Sequence, residues 1–211
     1  MKLFSYWRST AAYRVRIALN LKEIDHEILP VNLLQRGHQS DTYLSRNPQG
    51  LVPTLSLDAV SVTQSTAIIE YLEETYPEPS LLPADPIAKA RVRAFCQTIA
   101  CDIHPLNNMR VLQHLREELS CDEVAVKAWY ENWVSSGFAA LETQVKETAG
   151  RYCFSDVVTM ADAYLVPQMF NARRFACDLS PYPALVEITS RLEQLPAFVN
   201  AAPAQQPDAV Q

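Results

Sequence analysis

A cluster of prolines constrains this chain most, because the periodicity of the sequence changes across it. Pro77, Pro79, Pro83 and Pro86 fall within ten residues. Proline has no backbone N–H and crowds the preceding turn, so prolines at that density stop a helix and stiffen a connector. Before the cluster, segments that alternate like strands are interleaved with segments of helical spacing. After it, strand patterns fade and helical spacing dominates. The 211 residues therefore divide into two domains of ordinary size, residues 1–80 and 87–211, joined by a linker over 81–86.

The first domain reads strand, helix, strand, loop, strand, strand, helix. Lys2 to Trp7 alternates, and Ala11, Ala12, Val15, Ala18 and Leu19 then recur as on one helix. Glu27 to Val31 is a short strand, and the polar stretch from Gln35 to Asn47 is a loop with room for one short helix. Thr54–Leu57 and Val60–Thr63 flank Asp58-Ala59 as a hairpin. Ser65 opens a helix whose inward face is Ile68, Ile69, Leu72 and Tyr76. In the second domain one long helix is expected from Ile87 to past His114, kinked at Pro105. A second covers Val124 to Val145, a third starts at the capping-box spacing Thr159-Met160-Ala161-Asp162, and another spans Leu185 to Leu195. The tail beyond Ala202 has no periodicity and is expected to fray.

Several function classes are excluded by what the chain lacks. Its four glycines, Gly37, Gly50, Gly137 and Gly150, cannot compose a GxGxxG or a P-loop, so dinucleotide and nucleotide-phosphate cradles are ruled out. The five cysteines include no CxxC pair, which argues against a zinc site or a disulfide framework and for reduced thiols, most of them buried in the helical domain. A net charge of −6 argues against nucleic acid as a partner. No apolar run approaches the roughly 20 residues of a membrane span. The chain opens on a strand pattern without a basic-then-apolar leader, and a cytoplasmic location is expected.

Two places stand out as candidate sites. Ser9 falls where the first strand hands over to a helix N-terminus, with unpaired N–H groups and the positive end of the dipole beside it. Arg8, Arg14 and Arg16 crowd the same junction in an otherwise acidic chain. A serine there is first of all a helix cap. The surrounding charge also suits an anion. The second place is Pro105, whose neighbours Asp102, His104, Asn107, Asn108 and Arg110 are unusually polar. With i,i+4 spacing, His104 and Asn108 share one face of the expected helix, which is either solvated or lines a pocket.

Ser9-Thr10-Ala11-Ala12-Tyr13-Arg14-Val15-Arg16-Ile17-Ala18-Leu19 resembles the signature of zeta-class glutathione transferases, the maleylacetoacetate isomerase family. Asn47-Pro48-Gln49-Gly50-Leu51-Val52-Pro53, Gln64-Ser65 and Leu81-Leu82-Pro83 add to the likeness. So do Ile103-His104-Pro105-Leu106-Asn107-Asn108, Thr159-Met160-Ala161-Asp162 and Ala172-Arg173-Arg174-Phe175. The resemblance covers almost the whole chain. It implies an α/β plus all-α fold: an N-terminal thioredoxin-like domain followed by an all-helical C-terminal glutathione-transferase domain. It also implies a homodimer.

The resemblance further implies the roles of individual residues. Ser9 would hydrogen-bond the sulfur of glutathione, within a first turn of Thr10, Ala11, Ala12, Tyr13 and Arg14. A cis Val52-Pro53 peptide would leave the Val52 backbone free to pair with the peptide-like middle of glutathione. Gln64 and Ser65 would hold its γ-glutamyl carboxylate, and His38 would reach its glycine end. His104, Asn108, Met109 and Arg110 would complete the glutathione site. Arg8, Arg110 and Arg174 would hold the carboxylates of a small cis-enedioic keto acid and stabilise the negative charge that develops on it. The implied reaction is glutathione-dependent isomerisation of maleylacetoacetate to fumarylacetoacetate in tyrosine and phenylalanine breakdown. Maleylpyruvate isomerisation, transfer of glutathione to halogenated acids, and a non-catalytic glutathione-transferase-like module are the alternatives. Ala11 departs from the family, which often carries cysteine at that place.

Overall fold

The computed structural model describes residues 1–209 and separates into two compact units, Met1–Leu81 together with the chain from Glu193 on, and Leu82–Leu192. In the first unit β1 (Lys2–Ser5) leads into α1 (Thr10–Leu21) and back into β2 (Glu27–Pro30), which pairs parallel to β1. A parallel pair needs such a crossover, and α1 supplies it. A short α2 (Asp41–Leu44) follows. The hairpin of β3 (Thr54–Leu57) and β4 (Val60–Thr63) then adds antiparallel to β1, giving the order β2-β1-β3-β4. α3 (Ser65–Thr75) ends the α/β part. Leu3 and Leu55 are partners across β1 and β3, and both are fully buried together with Val15, Leu19, Ile68 and Leu72. Alternation along the strands and 3.6-residue spacing along the two helices thus point into one core. This is the thioredoxin-like half of the expected α/β plus all-α fold.

An ion pair buried beneath that core secures the end of α3. Lys22 Nζ lies 2.7 Å from Glu73 Oε2 and also donates to the carbonyls of Tyr76 (2.6 Å) and Pro79 (3.0 Å). Glu73 in turn accepts the Ser80 hydroxyl and the Leu81 N–H. Burial pushes the Glu73 carboxyl up, but these donors outweigh it and hold the group below its ordinary range. Tyr76, expected on the inward face, instead follows the last turn of α3 and is over one-third exposed.

The second unit is helical throughout, with α4 (Pro86–Gln97), α5 (Met109–Glu117), α6 (Glu123–Thr148), α7 (Met160–Arg174) and α8 (Pro183–Leu192). Asp85 caps α4 ahead of Pro86, and Asp122 caps α6. The expected box at the start of α7 is present. Buried Asp162 accepts the Thr159 N–H at 2.7 Å, the Thr159 hydroxyl at 3.1 Å and the Cys153 N–H at 3.0 Å. Burial nevertheless raises its pKa. Buried Glu142 of α6 accepts the N–H groups of Ala184 and Leu185 and so satisfies the start of α8.

Four further expectations are corrected. The long helix from Ile87 past His114 is two helices. The end of α4 widens into a π-helical segment over Thr98–Ile103, where His104 N–H reaches back five residues to the Ile99 carbonyl, and the chain then breaks before α5. The helical domain expected over 87–211 ends at Leu192, because Pro196 cannot continue α8 and instead starts α9 (Pro196–Ala201), which packs on α1 in the first unit. The tail does not fray: Pro203 and Gln206 are buried, with a 3₁₀ turn over Pro203–Gln205. Of the cysteines, only Cys96 and Cys153 are buried, while Cys101 is exposed and Cys121 and Cys177 lie between. No described helix is long and apolar enough to cross a membrane.

Candidate functional site

In the first unit the junction of β1 and α1 is built as a cap. Ser9 is extended (φ −68°, ψ 116°), and its Oγ accepts the Ala12 N–H at 3.2 Å. The Tyr13 N–H goes to the Ser9 carbonyl at 2.8 Å. Among the described residues the Ala11 N–H and the Ser9 hydroxyl proton have no protein partner. Accepting a peptide N–H leaves that proton available to an acceptor outside the helix. Thr10 lies one step further in and is buried. Ala12 and Tyr13 face the core, and Ala11 is half-buried.

The three arginines near Ser9 do different things. Arg16 is buried and fully engaged, donating to Ser5 Oγ and to the carbonyls of Tyr6, Trp7 and Ala201. Burial brings its pKa down to about 10. It is a structural cation rather than part of an anion site. Arg14 is also buried, and its Nη1 donates to Ser65 Oγ at 3.4 Å, so it joins α1 to the start of α3. Arg8 is half-buried, stacked on the Trp7 ring at 4.6 Å with one nitrogen on the Tyr6 hydroxyl. Its Nε is buried with no partner among the described residues.

The loop before β3 carries the expected cis Val52-Pro53 peptide. Two buried side chains fix it from below. Tyr43 OH donates to the Leu51 carbonyl at 2.6 Å and Asn47 Nδ2 to the same oxygen at 2.7 Å. Neither Val52's N–H nor its C=O has a backbone partner among the described residues. Gly50 has a φ of +60°, and a Cβ there would stand 3.1 Å from the His38 carbonyl, so the loop closes against His38 only with glycine. The His38 ring is part-buried, with Nδ1 unpaired. Burial, and then the charge of Arg36, lower its pKa.

At the start of α3, Gln64 is the residue before the first turn, with φ 71° and ψ 120°. A side chain in that region is costly, by about 1–3 kcal/mol. It lets Ser65 begin the helix directly after β4, and the Ser65 N–H has no protein partner among the described residues. Gln64 Nε2 donates to Gln49 Oε1 at 2.7 Å, tying this turn to the Val52 loop. The first unit thus brings Ser9, Arg14, Gln64 and Ser65 into one connected frame.

In the second unit the bend after the π-helical segment is gripped by α6. Trp129 Nε1 donates to the Leu106 carbonyl at 2.8 Å and Asn107 Nδ2 to the Tyr130 carbonyl at 3.1 Å. Gly137 of α6 admits Ile103: a Cβ there would lie 2.3 Å from the Ile103 side chain. His104 and Asn108 do not share a helical face. His104 ends the π-helical segment, while Asn108 caps α5, accepting the Arg110 N–H at 3.0 Å. Met109 and Arg110 begin α5 and are exposed. Arg174 ends α7 exposed, its guanidinium 4.7 Å over the Phe175 ring. Phe175 stacks on Tyr130 at 4.0 Å. One α6 residue, Tyr130, therefore touches both segments, Asn107 by its carbonyl and Phe175 by its ring.

Asn47, Tyr43 and Tyr130 are supports that the sequence does not announce. Asn47 lies in a recognisable motif, but its bond to Leu51 leaves no pattern, and the two tyrosines read as ordinary core.

Residues 3–80 match the family described as glutathione S-transferase, N-terminal domain. Over 210 residues the chain is 50% identical to a maleylpyruvate isomerase from a Ralstonia species, covering 99% of each. It is 47% identical over 211 residues to a maleylacetoacetate isomerase from Pseudomonas aeruginosa, covering 99% of this chain and 98% of that one. A holo maleylpyruvate isomerase described as a bacterial zeta-class glutathione S-transferase superposes with a TM-score of 0.97 at 48% identity, covering all of both chains. A maleylacetoacetate isomerase from Methylobacterium extorquens, solved with malonate and glutathione bound, gives 0.95 at 38% identity, again over all of both.

Proposed function

Because this chain belongs to the zeta class of the glutathione S-transferase family, we propose that it isomerises maleylacetoacetate to fumarylacetoacetate, the trans product, with glutathione as cofactor. The observation that carries this reading is a row of unsatisfied groups in the first unit. The Ser9 hydroxyl proton, the Val52 peptide and the Ser65 N–H lack protein partners among the described residues, on a frame that buried side chains hold still. A thiol-bearing peptide with a free carboxylate at one end has the complementary chemistry, so the residues present fit glutathione.

Bound glutathione supplies a sulfur nucleophile that adds reversibly to the cis double bond and departs after rotation, so none is consumed. Ser9 donates its proton to the sulfur and favours the thiolate, helped by the positive end of α1 and by Arg8. The first turn from Thr10 to Arg14 shapes that end. Val52 pairs through its N–H and C=O with the peptide middle. Gln64 and the Ser65 N–H receive the γ-glutamyl carboxylate at the start of α3, with the buried Arg14 charge behind them. His38, next to Gly50, receives the glycine end. His104, Asn108 and Met109 complete the cofactor site. Arg8, Arg110 and Arg174 hold the substrate carboxylates and the negative charge that develops on the keto oxygen, where charge-assisted bonds are strongest. The same reading makes the protein a cytoplasmic homodimer in tyrosine and phenylalanine breakdown.

Maleylpyruvate is the second reading, favoured by the 50% identity to the Ralstonia protein. Both keto acids are assayed side by side with free thiol followed throughout. Turnover of maleylacetoacetate with constant thiol is expected. Stoichiometric thiol loss would show a transferase, preference for maleylpyruvate would move the substrate, and turnover without glutathione would end the proposal.

A further inference from the structure

The last residues of the chain act on the hinge that precedes Ser9. Asn20 of α1 donates to the Ala197 carbonyl at 2.9 Å, and Arg16 Nε to the Ala201 carbonyl at 2.9 Å. Past α9 the buried Gln206 turns its amide back onto the carbonyls of Asn200 and Ala202, which fixes the direction of the chain beyond it. Asp208 then places Oδ2 3.0 Å from the Trp7 N–H.

The bond to Trp7 matters because of what else that peptide holds. The Tyr6–Trp7 peptide carries the Trp7 N–H on one side and the Tyr6 carbonyl on the other. The carbonyl accepts the Ser9 N–H at 2.9 Å and Arg16 Nη1 at 3.4 Å. Arg16 Nη2 takes the next carbonyl, that of Trp7, at 3.1 Å. Asp208, Arg16 and Ser9 therefore meet on one rigid plane. Tilting that plane moves the Ser9 backbone, and with it the Oγ that Ala12 holds. A carboxylate is the stronger acceptor for such a bond, worth roughly twice a neutral one.

We propose that Asp208 is a positioning residue for the reaction: the C-terminal strap aligns Ser9 through the Tyr6–Trp7 peptide. This rests on the reading of Ser9 as the donor to the sulfur. The charged and titratable groups of this unit around the hinge are Arg8, Arg14, Arg16, Tyr6 and Tyr13, with Asp208 the carboxylate among them.

The test compares kcat and KM at saturating glutathione for the unaltered protein, Asp208→Ala, Asp208→Asn, Ser9→Ala and the Ser9→Ala, Asp208→Ala double variant. Asp208→Ala is expected to lose roughly three- to tenfold in kcat with KM for the keto acid unchanged. Asp208→Asn, which keeps an oxygen acceptor, should recover most of it. The double variant should be no slower than Ser9→Ala, since both act through one hydroxyl. Unchanged kcat in Asp208→Ala, absence of rescue by asparagine, or multiplied losses in the double variant would each overturn the proposal while leaving Ser9 in place. A fully active Ser9→Ala would remove the reading of Ser9 and the proposal together.

Discussion

The two units present their candidate residues in opposite ways. In the first, the groups left without protein partners among the described residues are mostly main chain: the N–H and C=O of Val52, the Ser65 N–H and the turn at Ser9. Side chains such as Tyr43, Asn47, Arg14 and Arg16 serve from beneath. In the second, side chains face outward from helix ends, as with Arg110 and Arg174, and the bend that precedes Arg110 is gripped by Trp129 on the Leu106 carbonyl and by Asn107 on the Tyr130 carbonyl. On the proposed reading, a main-chain frame would recognise what every glutathione molecule shares, whatever side chains stand nearby. Side chains on helix ends can change without disturbing the helices, and on the proposed reading they are where substrate choice would be made.

If the first unit is a rigid frame, its stability rests on buried polar bonds, and the largest effect should come from breaking one. Lys22→Ala leaves the Glu73 carboxylate without its cation in a nearly dry site, and a loss of about 3–5 kcal/mol in unfolding free energy is expected by denaturant titration. The pair also gives a pH signature. The Glu73 pKa is lower folded than unfolded, so its contribution is complete above the ordinary carboxyl range and disappears as pH falls through the folded value. Denaturation curves of Glu73→Gln should lack that acid-dependent component. A flat difference between the two proteins across the acid range would show that the pair is not coupled to folding.

The frame should also matter to chemistry one atom at a time. On the proposed reading Ser9→Ala would remove a bond to a charged sulfur, worth about 1.5–3 kcal/mol, and should slow turnover roughly tenfold to a hundredfold. Thr10→Ala, one step inside the helix and buried, should do less. A dead Thr10→Ala beside an active Ser9→Ala would reverse the assignment. On the other side of the comparison, Arg110→Ala and Arg174→Ala should each lose about tenfold on a keto diacid and little on an uncharged chloro-substrate. Equal losses on both would make these arginines part of the frame.

The smallest expected effect tests whether the second unit's bend is held as firmly. Gly137→Ala crowds Ile103, at a cost of about 1–3 kcal/mol, against about 1 kcal/mol regained because alanine favours the helix. A net loss of about 1 kcal/mol is expected, read as a lower midpoint in a denaturant titration. A more stable variant would show that the bend yields to α6.

Legibility in the sequence tracks the range of the interactions. The strand-to-helix junction at Ser9, the hairpin at Asp58-Ala59 and the box at Thr159 are each set by residues within a turn of one another, and each appears where expected. The helix break after Ile103 is only half legible. Pro105 announces a disturbance, but its form depends on Gly137, Trp129 and Tyr130 over twenty residues away. Arg16 falls outside the anion site where its neighbours in sequence would put it, because nothing local says that its guanidinium meets the Ala201 carbonyl. The tail is unreadable for the same reason: Asp208 gains its meaning from Trp7, at the other end of the chain.

That closure across the chain has a consequence for how the protein is made. Residues that emerge from the ribosome early form a sheet and two helices whose last partners have not yet been synthesised. The bond between Trp7 and Asp208 spans 201 positions of sequence. Non-local closures of this kind come late in folding. The sheet of the first unit is thus translated well before Asp208, the acceptor of its Trp7 N–H, and the hinge can be fastened only after the whole helical unit between them has been made.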